Sequence, residues 1–252
     1  MLFLFVACKP VVAPDNYDEL MSYLYQNFDE DEEYLEEGLA QLNLILEDQA
    51  AAITEGYRID KLSLEAIQMI EERDTEPDLI GISKSVDFKY PVDDFAYANF
   101  AVHPREIFVN PNAQNEREYD GDPLCFVEQA CEQLHYSAIL ERKLPLDINA
   151  TIYFETDIRW VDTEHGPAFI QRRWLTDDTK INKDWIAINS GYSVAVTLPM
   201  ENGNAKQIET VWGDVAVSDL PLPEDVAFVL ATGALDKILR QFEEYLERDG
   251  EE

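Results

Sequence analysis

The stretch NATIYFETDIRWV constrains this chain more than any other part of it. With Ile148 just before it, Ile148, Ala150, Ile152, Phe154, Ile158 and Trp160 all fall on even positions, while Asn149, Thr151, Glu155, Asp157 and Arg159 fall on odd ones. A period of two sustained this long is incompatible with a helix and describes a half-buried antiparallel strand. Further strands are predicted around it: HYSAILERKL before Pro145, AFIQRRWL after His165-Gly166-Pro167, IAINSGYSVAVTL after TDDTKINKD, and KQIETVWGDVAV after Glu201-Asn202-Gly203-Asn204. The Asn-Gly pair is a strong hairpin signal. The expectation is a meander of long strands, not alternating βα units.

The segments on either side have helical period. Leu20, Leu24 and Phe28 recur at four-residue steps, Leu35, Leu39, Leu42 and Leu46 follow the same face, and LSLEAIQMIEER predicts a third helix behind Asp60 and Ser63. After Pro77 the period changes. LIGISKSVDFKY reads as a strand, Pro91 opens a short helix, and a loop rich in Asn, Pro and Gly runs to Pro123. At the other end, PEDVAFVLATGALDKILRQFEEYLER from Pro223 to Arg248 predicts a long amphipathic helix with Val226, Leu230, Ile238, Phe242 and Leu246 inward. The organisation expected is a tether over 1–16, a helical subdomain over 17–77, and an α+β domain over 78–252.

Composition excludes some partners. Hydrophobic residues make up 46% of the 252, enough for a real core, while 52 acidic against 19 basic side chains give a net charge of −33. Such a surface repels phosphates, so nucleic acid is not an expected partner. The acids are spread through every segment, as in a solvated coat. The densest run, DEDEEYLEE, lacks the glycine and alternate-position spacing of a calcium loop.

No catalytic or cofactor motif is visible. His103, His135 and His165 lie in separate segments without a partner at ligand spacing, and the chain has no zinc motif, G-x-S-x-G elbow, P-loop or G-x-G-x-x-G. No metal or cofactor is therefore expected. Basic residues are scarce in this chain, and Arg172-Arg173 must place one side chain on each face of its strand. Pairing with carboxylates across strands is the favoured reading for these arginines; the sharper reading makes Arg172 an anchor for a ligand carboxylate at a cavity mouth.

Three cysteines remain. The run LFVAC, an apolar stretch ending in a small residue before Cys8, resembles the lipobox of bacterial lipoproteins. That resemblance implies cleavage before Cys8, lipid attachment at its sulfur, export, and a membrane partner reached through the lipid, with Pro10 and Pro14 keeping the following tether out of helix. Cys125 and Cys131 lie six residues apart in PLCFVEQACE. On a helix this places them about 9 Å apart along the axis, beyond bridging, whereas a loop brings them into reach. An exported protein meets an oxidising compartment, which favours a Cys125–Cys131 disulfide over two buried thiols on a helix.

The order strand, short helix, run of antiparallel hairpins and long C-terminal helix over Leu79 to Glu247 resembles the START-like (SRPBCC, helix-grip) superfamily. The resemblance implies a curved sheet wrapped on the C-terminal helix, with room between them for an apolar or amphipathic small molecule. Parity and helical step then nominate Ile152, Phe154, Ile158, Tyr192 and Val194 from the strands, and Leu230, Ala234, Ile238 and Phe242 from the helix, as cavity lining. The small residues Gly233 and Ala234 are expected to leave space at mid-helix. The rival expectation is a side-chain-filled interior and a non-catalytic interaction module.

Overall fold

A computed structural model describes residues 10–107, 113–144, 147–176, 179–217 and 224–249. Cys8 lies outside these residues. The chain is α+β and its centre is one curved antiparallel sheet of nine strands. In chain order these are β1 (Tyr57–Ile59), β2 (Ile80–Phe88), β3 (Ala113–Asp120), β4 (Gln133–Leu144), β5 (Ile148–Thr163), β6 (Gly166–Leu175), β7 (Lys180–Ile181), β8 (Ile186–Pro199) and β9 (Ala205–Val217). Across the sheet the order is β1-β2-β9-β8-β6-β5-β4-β3, with β7 pairing the far end of β5. Hairpins join β4 to β5, β5 to β6 and β8 to β9, so the meander read from the strand periodicity is present.

Helices cover both faces. The outer face carries α1 (Tyr17–Gln26), α2 (Glu32–Glu55) and α3 (Leu64–Gln68). Asn16 caps α1 by accepting from the Asp18 and Glu19 amides, and Ser63 caps α3 through the Ala66 amide. Leu20, Leu24, Leu35, Leu39 and Leu42 of α1 and α2 form one cluster with Ile170, Val194, Val196 and Ile208 of the sheet. Polar contacts fix the register: Tyr17 Oη lies 2.5 Å from Ser83 Oγ and Thr54 Oγ1 lies 2.9 Å from Ser85 Oγ.

The inner face carries the short helices α4 (Val92–Ala96), α5 (Pro104–Ile107) and α6 (Pro123–Val127), a π-helical turn at Tyr97–Ala101, and the long α7 (Glu224–Asp249). Phe95, Phe100 and Phe126 pack with Trp160 and Phe169 and with Leu239, Phe242 and Leu246 of α7. These rings close one end of the space between sheet and α7. Lys84 Nζ on the sheet meets Asp236 Oδ1 on α7 at 2.8 Å, and Arg248 donates to the Glu106 carbonyl at 3.1 Å, so the helix is held along its length.

Three differences from the sequence expectation have physical causes. The third helix is only Leu64–Gln68, because the chain turns at Met69–Ile70 and runs on irregularly to β2. Strand β1 is three residues long, too short to show a period. Strand β3 lies in what reads as loop, because AQNEREYD is an edge strand whose exposed side is polar. Cys125 and Cys131 form a disulfide with a Cα separation of 5.3 Å. Cys125 sits in α6, but the chain leaves the helix at Glu128, and Gln129, at φ 56°, turns it back so that the Ala130 and Cys131 amides both donate to the Cys125 carbonyl. Among the described residues no helix is long and apolar enough to cross a membrane.

Candidate functional site

Strand register determines which side chains meet α7. One inner row runs Tyr136, Thr156, Arg173, Ser193, Val211 and Ile82 across six strands; the next runs Leu134, Ile158, Gln171, Ala195, Glu209 and Lys84. Toward the open end a further row brings Ala138 beside Phe154 and Leu175, and Gly191 opposite Gly213. Between these rows and Leu235, Ile238, Leu239 and Phe242 of α7 lies a cavity of about 380 Å3. Leu175 covers Gly191, but Gly213 leaves the wall bare. A Cβ built on Gly213 would meet nothing within 4 Å.

The cavity is apolar on its helix side and polar on its sheet side. Arg173 is at the centre, its Nη1 3.7 Å from Glu209 Oε1 and its Nε donating to Thr156 Oγ1 at 3.4 Å, with the guanidinium 5.2 Å from the Phe154 ring centre. The 32% of the Arg173 side chain that is accessible looks into this space. Arg117 enters from β3, donating to the Asn99 carbonyl on the π-helical turn and to Tyr119 Oη, with its guanidinium 5.1 Å from the Tyr136 ring centre. The turn thus aims a backbone carbonyl at Arg117 and puts Asn99 in the lining.

The electrostatics follow from burial and from the two arginines. Burial pushes the Tyr136 hydroxyl up, but the adjacent Arg117 and Arg173 guanidiniums together outweigh it and hold the phenol below its ordinary value. Burial pushes the Glu209 carboxyl up, and Arg173 and Ser193 only partly oppose this. For Arg173, burial disfavours the charge, yet Tyr136 and Glu209 restore it and keep the guanidinium above its ordinary value. Three buried side-chain atoms of the cavity lining have no partner among the described residues: Gln171 Oε1, Gln207 Oε1 and Ser190 Oγ, on residues 2%, 4% and 5% exposed.

Of the residues nominated from sequence, Phe154, Ile238 and Phe242 line the cavity through their side chains, with Ile238 40% exposed at its rim. Ile158 faces the same way but is packed in the aromatic cluster, and Ile152 is half-buried outside the lining. Tyr192 and Val194 need correction. Both side chains point to the outer face, where the Tyr192 hydroxyl donates to Glu71 at 2.6 Å and its ring packs edge-on to Tyr25. Tyr192 is nonetheless among the residues bordering the cavity, beside Gly191. Leu230 and Ala234 lie on α7, but their side chains are outside the described residues, and Gly233 is exposed on the solvent side.

Arg172 follows the cross-strand pairing reading and is not a cavity anchor. It lies on the outer face, pairing with its cross-strand neighbour Asp157 and with Asp29, each at 2.7 Å, its guanidinium 4.6 Å from the Phe28 ring centre. It clamps the end of α1 to the sheet. The inward arginine is Arg173, as the split of an adjacent pair requires. Sequence reasoning missed Gln171, Gln207 and Glu209 because polar side chains on a strand were read as solvated. The usable signal was Gln-x-Arg and Gln-x-Glu sharing one parity on two strands of one sheet. Among the described residues no group of three His, Cys, Asp or Glu side chains is placed to hold a metal.

No family model matches the chain, and no curated protein matches it. Solved structures do resemble it. A STAR-related lipid transfer protein from Xanthomonas axonopodis is 13% identical at a TM-score of 0.47, covering 69% of this chain and 90% of its own. A START superfamily protein from Mycobacterium smegmatis is 12% identical at 0.43, covering 67% and 97%. The Zhui aromatase/cyclase from Streptomyces sp. R1128 is 8% identical at 0.42, covering 69% and 94%. With TM-scores below 0.5, these likenesses bear on neither ligand nor activity.

Proposed function

We propose that this protein binds an apolar or amphipathic small molecule between its sheet and α7, and does so as an exported, lipid-anchored protein of the cell envelope. The observation that carries the binding reading is the bare wall at Gly213, which opens a cavity of about 380 Å3 beside Leu235, Leu239 and Phe242. This volume falls within the roughly 300–1,000 Å3 usual for small-molecule sites. It suits a single-chain or compact-ring molecule. Export is supported by the Cys125–Cys131 disulfide, which persists in oxidising compartments, and the anchor by the LFVAC run at Cys8.

The binding test uses N-phenyl-1-naphthylamine, a neutral apolar fluorophore, with the purified chain. The wild type is expected to bind it, and Gly213→Leu, which fills open space, to weaken binding about tenfold or more at unchanged melting temperature. If the wild type binds no such probe, the reading gives way to an interaction module with a filled interior, to which the aromatic cluster at the closed end already contributes. The anchor is tested separately. Cys8→Ser is expected to release the protein from membranes, and an unchanged membrane fraction counts against it.

A further inference from the structure

We propose that the molecule held in this cavity carries an acidic head, a carboxylate or an ionised enol or phenol, seated against Arg173 with its apolar body along α7. The inference rests on the binding reading and deepens it by naming the ligand's chemistry. It starts from a contrast of charge. The chain as a whole is at −33, yet the ionisable side chains turned into the cavity are Arg117, Arg173, Tyr136 and Glu209. Glu116 borders the space but its carboxylate reaches outward to Arg105, and Lys84 is taken up by Asp236.

Of the two inward arginines, Arg117 is spent on the Asn99 carbonyl and Tyr119. Arg173 hydrogen-bonds with the Tyr136 hydroxyl, but its contact with Glu209 is long, at 3.7 Å, and its bond to Thr156 is at the limit of hydrogen-bond length, at 3.4 Å. With 32% of its side chain accessible, the guanidinium still has planar donors to offer a bidentate acceptor. Burial disfavours the charged form of Glu209, the carboxyl paired with Arg173.

The two glutamines complete the match. Gln171 stands one row from Arg173 on the same strand, and its Oε1, like that of Gln207, is buried without a donor. Together with Arg173 they give the sheet side of the cavity its polar character. The opposite wall, Leu235, Leu239 and Phe242, offers nothing polar and takes the body.

The test compares three ligands of one chain length, decanoate, decan-1-ol and decylammonium, as displacers of N-phenyl-1-naphthylamine at pH 7. The expected order is decanoate first, by about tenfold or more over the alcohol, with the amine weakest. Arg173→Met is expected to bring decanoate to the level of decanol while decanol changes less than about twofold. Arg173→Lys, which keeps the charge but not the fork, should retain part of the preference. If the wild type binds the fluorophore but ranks decanol or decylammonium level with or above decanoate, the acidic head is refuted and the cavity reading stands. If Arg173→Met folds and leaves the decanoate preference intact, Arg173 is not the anchor. If the fluorophore itself is not bound, the underlying reading has failed, which is a different result from either.

Discussion

Gly191 and Gly213 are direct register partners on β8 and β9, yet the space above each is different. A Cβ on Gly191 would lie 2.8 Å from Leu175 Cδ1, whereas one on Gly213 would meet nothing within 4 Å. Neither has a left-handed φ, so backbone strain does not enter. Gly191→Ala is therefore expected to cost about 1–2 kcal/mol through overpacking, while Gly213→Ala should be neutral or slightly stabilising. Urea denaturation of both variants checks this. Equal losses would mean that the space beside Gly213 is not open.

Gly81 is tighter. A Cβ there would lie 2.6 Å from both Ile59 Cγ2 and the Ile59 carbonyl, and 2.9 Å from Trp212 Cδ1. A backbone atom cannot rotate away as a leucine methyl can. Gly81→Ala is expected to cost about 2–3 kcal/mol and to detach β1 from β2. Hydrogen exchange should show the Tyr57–Ile59 amides losing protection ahead of the rest of the sheet. Uniform loss would show that the edge strand is not a separate unit.

The long helices and inner strands were readable in this sequence, unlike β1, β3 and β7, but the way their faces align was not. Even positions of β5 face α7, and the same parity was carried to β8. The turn Glu164-His165 between β5 and β6 makes Ile158 pair with Gln171 and Thr156 with Arg173, so every even residue meets an odd one. Strand β6 then meets β8 at like parity, Gln171 with Ala195. Ser193 and Ala195, not Tyr192 and Val194, therefore look inward. The alternation in IAINSGYSVAVTL misleads, because its more apolar side, Tyr192, Val194, Val196 and Leu198, is buried on the outer face under α1 and α2, while Ser193, Ala195 and Thr197 look inward. The register shift between Ile188 and Ser190 breaks the period again just where the cavity opens.

The disulfide closes a ring of few residues, so its effect on the unfolded chain is limited. Chain-entropy reasoning gives about 2–3 kcal/mol for so short a loop. Paired Cys125→Ser and Cys131→Ser substitution is expected to lower stability by that amount, with α6 and the Trp160 Nε1 to Phe126 carbonyl bond of 2.7 Å most affected. Denaturation and tryptophan fluorescence are the measurements. Alkylation of the unfolded, unreduced wild type labelling two cysteines besides Cys8 would sink the bridge.

The buried carboxyl of Glu209 gives stability a pH dependence whose sign is fixed by the direction of its shift. Burial raises it from the ordinary value near 4.5, so between that value and its folded-state value the native protein holds a proton that the unfolded chain has released. Stability from this group is present at low pH, declines as pH rises through that window, and is flat above it. Glu209→Gln cannot titrate, keeps an acceptor for Ser193, and should remove this part of the decline. Because many other carboxylates titrate in the same range, the informative quantity is the difference between the wild-type and variant melting curves from pH 4 to 8. That difference is expected to move in favour of the variant as pH rises and then to level off. A constant difference would mean that Glu209 titrates as an ordinary carboxylate. An opposite slope would mean that Arg173 holds it ionised, and the cavity would then oppose an acidic head instead of receiving one.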